Sequence, residues 1–144
     1  MPLPLSIAEY AQLIYGAVEN RPSIEASTLT LWSIGPQRAV VSGEVSFQYG
    51  IRLRAREVVD LENGRIESYG YEVYRGQEKL YWYDSWPHLN DSTLASTFPH
   101  HKHIPPDAKH NRVPAPNLSS TEPNLPAIIT EIETELLVDD QNQL

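Results

Sequence analysis

Residues 39–61 read AVVSGEVSFQYGIRLRAREVVDL, two segments of alternating polarity separated by Gly50. In the second segment, arginines alternate with apolar residues: Arg52, Arg54 and Arg56 follow Ile51, Leu53 and Ala55. Alternation with a period of two is typical of a strand that buries one face and exposes the other. The stretch therefore predicts two paired strands with a core side and a polar side that carries the arginines.

Similar segments continue on both sides of this pair. Five segments are rich in Val, Ile, Tyr, Thr and Trp: residues 26–34, 39–48, 51–61, 65–75 and 78–84. Asn63-Gly64 separates the third from the fourth and is a strong hairpin signal, since both residues tolerate positive φ. Because such short links cannot connect parallel strands, residues 26–84 are predicted to form an antiparallel meander.

A helix is predicted at each end of this sheet. Ser6 and Glu9 have the spacing of a capping box, and apolar residues recur with helical spacing over residues 7–19. A second apolar stripe predicts a helix over residues 124–137, and residues 138–144 are expected to fray. The chain, residues 1–144, is therefore predicted to be a single α+β domain. It has a five-stranded antiparallel meander sheet with the N-terminal and C-terminal helices against one face.

Composition excludes several classes of function. The 144 residues include no cysteine, which rules out disulfides, thiolate metal sites and a cysteine nucleophile. No apolar run approaches the ~20 residues of a membrane span, so we expect a cytoplasmic protein without membrane contact. The net charge of −8 is concentrated in residues 114–144, which contain six acidic residues and no Lys or Arg. The rest of the chain is near neutral and need not repel nucleic acid.

Residues 85–123 are predicted to be a long Pro/His-rich loop. They contain seven prolines, and four histidines fall within 16 positions: His88, His100, His101 and His103. A loop of this length in a small domain is typically functional or disordered. If the loop folds over the polar face of the sheet, its imidazoles meet the arginines of that face.

Histidines combined with arginines suit phosphodiester cleavage. His101 and His103 are the candidates for general acid and base, and His88 is the candidate for orienting or contacting phosphate. Asp84 would fix the tautomer of one imidazole. Positive charge for phosphate groups would come from five side chains: Arg52, Arg54, Arg56, His100 and Lys102. With RNA as substrate, the base removes the 2′-hydroxyl proton, and neither a metal nor another cofactor is required.

Other interpretations of these residues stay open. His101 and His103 point to one side of an extended segment and could chelate a metal, with Asp84, His88 or Glu44 as further ligands. The histidines could instead hold the loop through backbone hydrogen bonds and stacking, and the arginines could form a solvated surface. The apolar stripe of the last helix could dock a basic partner, which would make the chain a binding module without catalysis.

Two motifs at the ends of this histidine segment carry a family resemblance. Tyr83-Asp84-Ser85-Trp86-Pro87-His88 ends an aromatic strand, and Phe98-Pro99-His100-His101-Lys102-His103 follows. An upstream strand with Tyr69, Tyr71 and Tyr74 and a short closing helix complete the pattern. The arrangement resembles the TumE-like family of prokaryotic toxin–antitoxin toxins. Leu89 stands where family members commonly have a second histidine.

The resemblance implies a cytosolic, growth-inhibiting toxin that is neutralised by an antitoxin with a helix-turn-helix domain. It makes action on RNA, alone or at the ribosome, the expected function, and a metal-independent endoribonuclease the candidate enzyme. The departure at Leu89 keeps an inactive family copy as an alternative. A non-catalytic binding module and a His-ligated metal-dependent enzyme are the others.

Overall fold

A computed structural model describes residues 2–3 and 6–137. Within these residues the main feature is one antiparallel sheet of eight strands. The strands are β1 Ile24–Ser27, β2 Thr30–Ser33, β3 Arg38–Phe47, β4 Ile51–Asp60, β5 Arg65–Arg75, β6 Glu78–Asp84, β7 His101–His103 and β8 Arg112–Pro114. Their order is β1-β3-β4-β5-β6-β7-β8, and β2 pairs with β3 beside β1.

The long central strands follow the predicted alternation. In β4, buried positions alternate with partly exposed or exposed ones along the whole strand. The turn between β4 and β5 contains Gly64 at a φ of 63°, as Asn63-Gly64 predicts, and Gly50 at a φ of 76° precedes β4. Glycine has no Cβ to clash in this left-handed region, so both turns are short and the strands pair as consecutive hairpins.

The sheet has eight strands rather than the five predicted, and the first difference lies at the β3 edge. The predicted strand over residues 26–34 is divided into β1 and β2 at Thr28 and Leu29. Thr28 crosses close above Gly43, where a Cβ would lie 2.5 Å from the Thr28 carbonyl oxygen. Because Gly43 has no side chain, the edge strand can end at Ser27 and begin again at Thr30, with both parts paired to β3.

The second difference lies in residues 85–123, which were predicted to be a loop. The structure shows a 3-10 turn at Ser92–Thr97 and the two short strands β7 and β8. β7 pairs with β6, and β8 pairs with β7, so this part of the segment extends the sheet. Strands of three residues are too short to be recognised by periodicity among so many prolines.

Two helices cover one face of the sheet. Helix α1, Ile7–Val18, begins at Ser6, whose hydroxyl accepts a hydrogen bond from the Glu9 amide as the capping box predicts. Helix α2, Leu125–Ile132, continues as a π-helical turn over Glu133–Leu137. Both helices bury apolar residues in the same core as β3 to β6. The predicted fraying of residues 138–144 lies outside the described residues.

No helix in the described part of the chain is both long enough and apolar enough to cross a membrane.

Candidate functional site

Strand β7 places two histidines on the face of the sheet opposite the helices. His101 lies opposite Asp84 of β6 in the register, and His103 lies opposite Trp82. Lys102, between them, points to the helix-bearing face, because successive side chains of a strand alternate. Both histidines are almost fully buried, with 1% and 6% of their surface exposed.

The imidazoles of β7 and the carboxylate of Asp84 converge on one point. The Nε2 atoms of His101 and His103 are 3.1 Å apart. Asp84 Oδ1 lies 2.8 Å from His101 Nε2, and Asp84 Oδ2 lies 3.3 Å from His103 Nε2. The arrangement brings Asp84 into direct contact with two histidines that lie 17 and 19 residues later in the sequence.

Backbone carbonyls fix the orientation of both rings. His101 Nδ1 lies 3.1 Å from the Pro99 carbonyl oxygen, and His103 Nδ1 lies 2.8 Å from that of Ala108. A carbonyl only accepts hydrogen bonds, so each Nδ1 carries the proton and donates it. The Nε2 atoms of both rings are therefore directed at each other and at the carboxylate of Asp84.

His88 completes the cluster from the segment after β6. Its ring centroid lies 4.7 Å from that of His101 and 6.4 Å from that of His103. His88 also lines an open cleft of about 570 Å³, together with Arg112 and the chain from Pro87 to Ser92. Of the four cluster residues, His88 lines this cleft, and Asp84 lines a second open cleft with Ser85 and Trp86.

The pKa values of the four cluster residues are shifted in different directions. Burial alone raises the pKa of the Asp84 carboxyl, but the hydrogen bond and charge of His101 hold that pKa below its ordinary value. Burial lowers the pKa of His101, yet hydrogen bonds to Asp84 and to the Pro99 carbonyl outweigh it, and the pKa is raised. Burial lowers the pKa of His103 and of His88. In the absence of a bound cation, a proton is therefore favoured between His101 and Asp84.

The same geometry suits a metal ion. His88, His101 and His103 each offer a ring nitrogen, and these three atoms all lie within 4.8 Å of one another. Asp84 adds a carboxylate oxygen at 2.8 Å from His101 Nε2. The cluster can therefore transfer protons or bind a divalent cation.

Comparison with known proteins identifies the family. Residues 14–136 match the family model described as Toxin TumE. The chain belongs to the TumE toxin family. A search of curated proteins and a search of solved structures found no match. Membership of the TumE family makes the chain a toxin of a toxin–antitoxin system and implies an antitoxin partner. The matched range includes all four residues of the cluster.

Two residues predicted to bind phosphate lie away from the cluster of this TumE-family chain. His100 Nδ1 is 2.7 Å from the Tyr69 hydroxyl, and its Nε2 is 3.4 Å from Ser120 Oγ. Lys102 lies over the Tyr81 ring and 3.7 Å from a carboxylate oxygen of Glu131 in α2. Both side chains link the sheet to the segments that pack on its helix-bearing face.

The three predicted arginines lie on the same sheet face as the cluster, but two or three strands away. Arg52 is held by an ion pair with Glu44 at 2.5 Å and by the Gly76 carbonyl oxygen at 2.8 Å. Arg54 and Arg56 are exposed and lie in the same rows of the sheet as His103 and His101. Since neighbouring strands are about 4.8 Å apart, these rows separate arginine and histidine backbones by about 14 Å.

Glu44 is too far away to be a ligand of the cluster. It pairs with Arg54 in the register, and the row continues through Glu72 and Trp82 to His103. Four strand spacings separate Glu44 from His103, about 19 Å. Of the two carboxylates considered, Asp84 is therefore the one that contacts the histidines.

Two residues of the site were missed by the sequence analysis. Arg112 of β8 lies opposite His103 in the register, and its buried Nε has no hydrogen-bond partner among the described residues. Trp82 stacks on the His103 ring with centroids 4.2 Å apart, and its Nε1 donates to Asp84 Oδ2 at 3.2 Å. Trp82 and Asp84 are two residues apart in β6, so the period of two of a strand predicts that their side chains share one face. No signal marks Arg112, because its short strand lies between prolines.

Proposed function

We propose that this TumE-family toxin acts as a ribonuclease, with Asp84, His88, His101 and His103 as its reaction centre. The observation that carries the proposal is the convergence of these four side chains beside an open cleft. Titratable groups with shifted pKa values that converge beside a cleft are candidates for a reaction centre.

The chemistry of RNA cleavage matches what the cluster can supply. The reaction removes a proton from the 2′-hydroxyl, stabilises negative charge on the phosphate and protonates the leaving oxygen. The Nε2 atoms of His101 and His103 are the atoms proposed for these steps, because Nδ1 of each ring donates to a backbone carbonyl. The substrate would take the place of Asp84 at His101 Nε2. Arg112 adds a positive charge beside His103.

The sheet face next to the cluster provides a path for the backbone of the RNA. Arg56, Gly70, Asp84 and His101 form one row across four neighbouring strands. Gly70 carries no side chain, so nothing projects from the sheet between Arg56 and Asp84 in this row. We propose that Arg54 and Arg56 contact phosphates of a chain bound in this row, as exposed arginines do at other phosphate sites.

The test is inducible expression in a bacterial host, with growth and the integrity of total RNA as readouts. We expect growth arrest and RNA cleavage from the wild type, and loss of both from His101→Ala and His103→Ala. Removal of a proton-transfer group typically costs about 10²–10⁴-fold in rate. His110→Ala is the matched control, because His110 is exposed and pairs only with Asp107 among the described residues.

Two results would contradict parts of this proposal. Unchanged growth arrest by both variants, each folded by circular dichroism, would remove these histidines from the toxic activity. Growth arrest with intact RNA would keep the toxin and reject the ribonuclease.

For the antitoxin partner, we propose a protein with a helix-turn-helix domain, as the family resemblance indicates. Its gene would be sought beside that of the toxin, and co-expression should relieve the growth arrest. The apolar stripe of α2 is not proposed as its docking surface, because Leu125, Ile128, Ile129 and Ile132 are buried in the core.

A further inference from the structure

We propose that His88, His101, His103 and Asp84 form a binding site for a divalent transition-metal ion, with Zn²⁺ as the best fit. The site is the reaction centre of the proposed function. The role of the metal in RNA cleavage rests on that function, whereas metal binding itself does not. With the metal bound, the Nε2 atoms of His101 and His103 are ligands, so the proposal replaces their acid–base role in the proposed function and the metal-independent chemistry predicted from the sequence.

The first argument is the direction of the ring nitrogens. Carbonyl oxygens of Pro99 and Ala108 accept hydrogen bonds from Nδ1 of His101 and His103. Histidine ligands of metals almost always donate their second ring N–H to such an acceptor, which fixes the tautomer and leaves the other nitrogen for the metal. Here two rings, from alternate residues of one strand, are set in this way and face the same point.

The second argument is distance. Four ligand atoms at 2.0–2.1 Å from a tetrahedral Zn²⁺ are separated from one another by about 3.3 Å. The two Nε2 atoms are 3.1 Å apart, and the oxygens of Asp84 lie 2.8 and 3.3 Å from them. The edge between the two Nε2 atoms is therefore close to the required length, and the edge from His101 Nε2 to Asp84 Oδ1 is about 0.5 Å shorter.

The third argument concerns the fourth ligand. His88 is half-buried, and its imidazole makes no hydrogen bond to the residues that the structure describes. Its nearest ring nitrogen lies within 4.8 Å of those of His101 and His103. His88 also lines the adjoining cleft, which leaves room for a further ligand from solvent.

Outer contacts hold the carboxylate in place. Trp82 Nε1 donates to Asp84 Oδ2 at 3.2 Å, and the Trp86 amide donates to Asp84 Oδ1 at 3.0 Å. Such partners orient a ligating carboxylate and are part of most metal sites. Trp82 also stacks on His103, so one side chain restrains two ligands.

The charge of the proposed site suits a phosphate substrate. Three neutral imidazoles and one carboxylate leave a net charge of about +1 with a bound dication, and Arg112 lies beside His103. A metal of this kind supplies Lewis-acid stabilisation of a phosphoryl oxygen when bound.

The experiment measures metal binding directly. Full-length protein without a polyhistidine tag would be stripped with EDTA, desalted, and titrated with Zn²⁺ by calorimetry and with Co²⁺ by visible absorption. We expect one equivalent to bind, with the intense d–d bands of tetrahedral Co²⁺. His101→Ala and His103→Ala should each lower the affinity by more than about 100-fold, the upper end of the cost of losing only an outer partner.

Two controls keep the result interpretable. His100→Ala removes a histidine of the same segment that contacts Tyr69 and not the cluster, so its affinity should equal that of the wild type. His88→Ala changes a half-buried side chain without hydrogen bonds to the described residues, so the protein should fold and still bind metal more weakly. Absence of binding at micromolar Zn²⁺, or equal affinity of the His88, His101 and His103 variants and the wild type, would overturn the proposal.

The metal-site proposal and the ribonuclease proposal can be rejected independently. RNA cleavage by the EDTA-stripped protein rejects a catalytic role for the metal and retains the ribonuclease as a metal-free acid–base enzyme. Failure of the stripped protein to bind Zn²⁺ on titration rejects the metal site itself. Stoichiometric Zn²⁺ binding without RNA cleavage under any metal condition retains the site and rejects the ribonuclease.

Discussion

Glu57 is the most unusual single residue in the core. It lies in β4 at a position where the alternation of the strand turns a side chain inward, and it is completely buried. The hydroxyl groups of Tyr10 in α1 and Tyr71 in β5 both donate hydrogen bonds to its carboxylate. Burial raises the pKa of Glu57 despite these two hydrogen bonds. The folded protein therefore favours the protonated form of this side chain.

The raised pKa predicts how stability depends on pH. In the unfolded chain Glu57 should titrate near its ordinary value of about 4.3. Its contribution to stability is then fully present below that pH and is lost as the pH rises through the higher pKa of the folded state. We expect the free energy of unfolding of the wild type, relative to Glu57→Gln, to fall as the pH rises above ~4.3.

Chemical denaturation of both proteins over a pH series measures this difference. Other titrations, including those of the histidines, cancel in the comparison. Tyr10 and Tyr71 stay uncharged in this range, because burial raises the pKa of each. Glu62→Gln is the matched control at an exposed position and should show no such trend. A difference between the wild type and the Glu57→Gln variant that stays constant with pH would contradict the raised pKa.

At the scale of elements, the divided edge strand depends on one glycine of β3. Gly43 has a φ of 148°, and a Cβ there would lie within 2.8 Å of backbone atoms of Thr28 and Leu29. Thr28 is held against β3 by its backbone amide, which donates a hydrogen bond to the Glu44 carbonyl oxygen at 2.8 Å. Because the obstructing atoms are backbone, relief requires β1 and β2 to move together.

We therefore expect Gly43→Ala to lower the free energy of unfolding by about 1–3 kcal/mol, the usual cost of overpacking. Urea denaturation followed by tryptophan fluorescence would measure it, since Trp32 lies in β2. Gly16→Ala in α1 serves for comparison, because a Cβ there meets no atom within 4 Å. That change should stabilise the helix by about 0.5–1 kcal/mol. Equal stability of the Gly43 variant and the wild type would mean that the edge tolerates a Cβ.

At the scale of the whole molecule, α2 closes the core that the sheet and α1 leave open. Its four buried apolar residues pack with those of β3 to β6, while Glu131 accepts hydrogen bonds from the Tyr83 hydroxyl at 2.9 Å. Glu133 on the following turn pairs with Arg21 at 2.5 Å. The C-terminal segment is therefore part of the fold and supports the strand that carries Asp84.

This role predicts a large effect of a substitution in α2. Ile129→Ala should lower the free energy of unfolding by about 2–5 kcal/mol, because a fully buried side chain is replaced by a cavity. Thermal and urea denaturation would measure the change. Thr130→Ala, at an exposed position of the same helix, should leave stability within about 0.5 kcal/mol of the wild type. A shift of similar size in both variants would argue against a core role for α2.

The sequence by itself determined the elements whose signals are local. The alternation of Ile51 to Arg56, the turn at Asn63-Gly64 and the capping box at Ser6 are each readable over a few residues, and each is confirmed. The two histidine motifs likewise indicated the family, which the match over residues 14–136 confirms. The period of two also indicated that His101 and His103 share one side.

Only the tertiary structure decided where those histidines point and what they meet. The β6–β7 register sets His101 against Asp84, and the β7–β8 register sets Arg112 beside His103. These pairings join residues many positions apart, and a shift of one residue would have turned both histidines toward the helices. Short strands among prolines carry too little local signal to specify such a register, so the cluster of Asp84 and the histidines forms only when the sheet assembles.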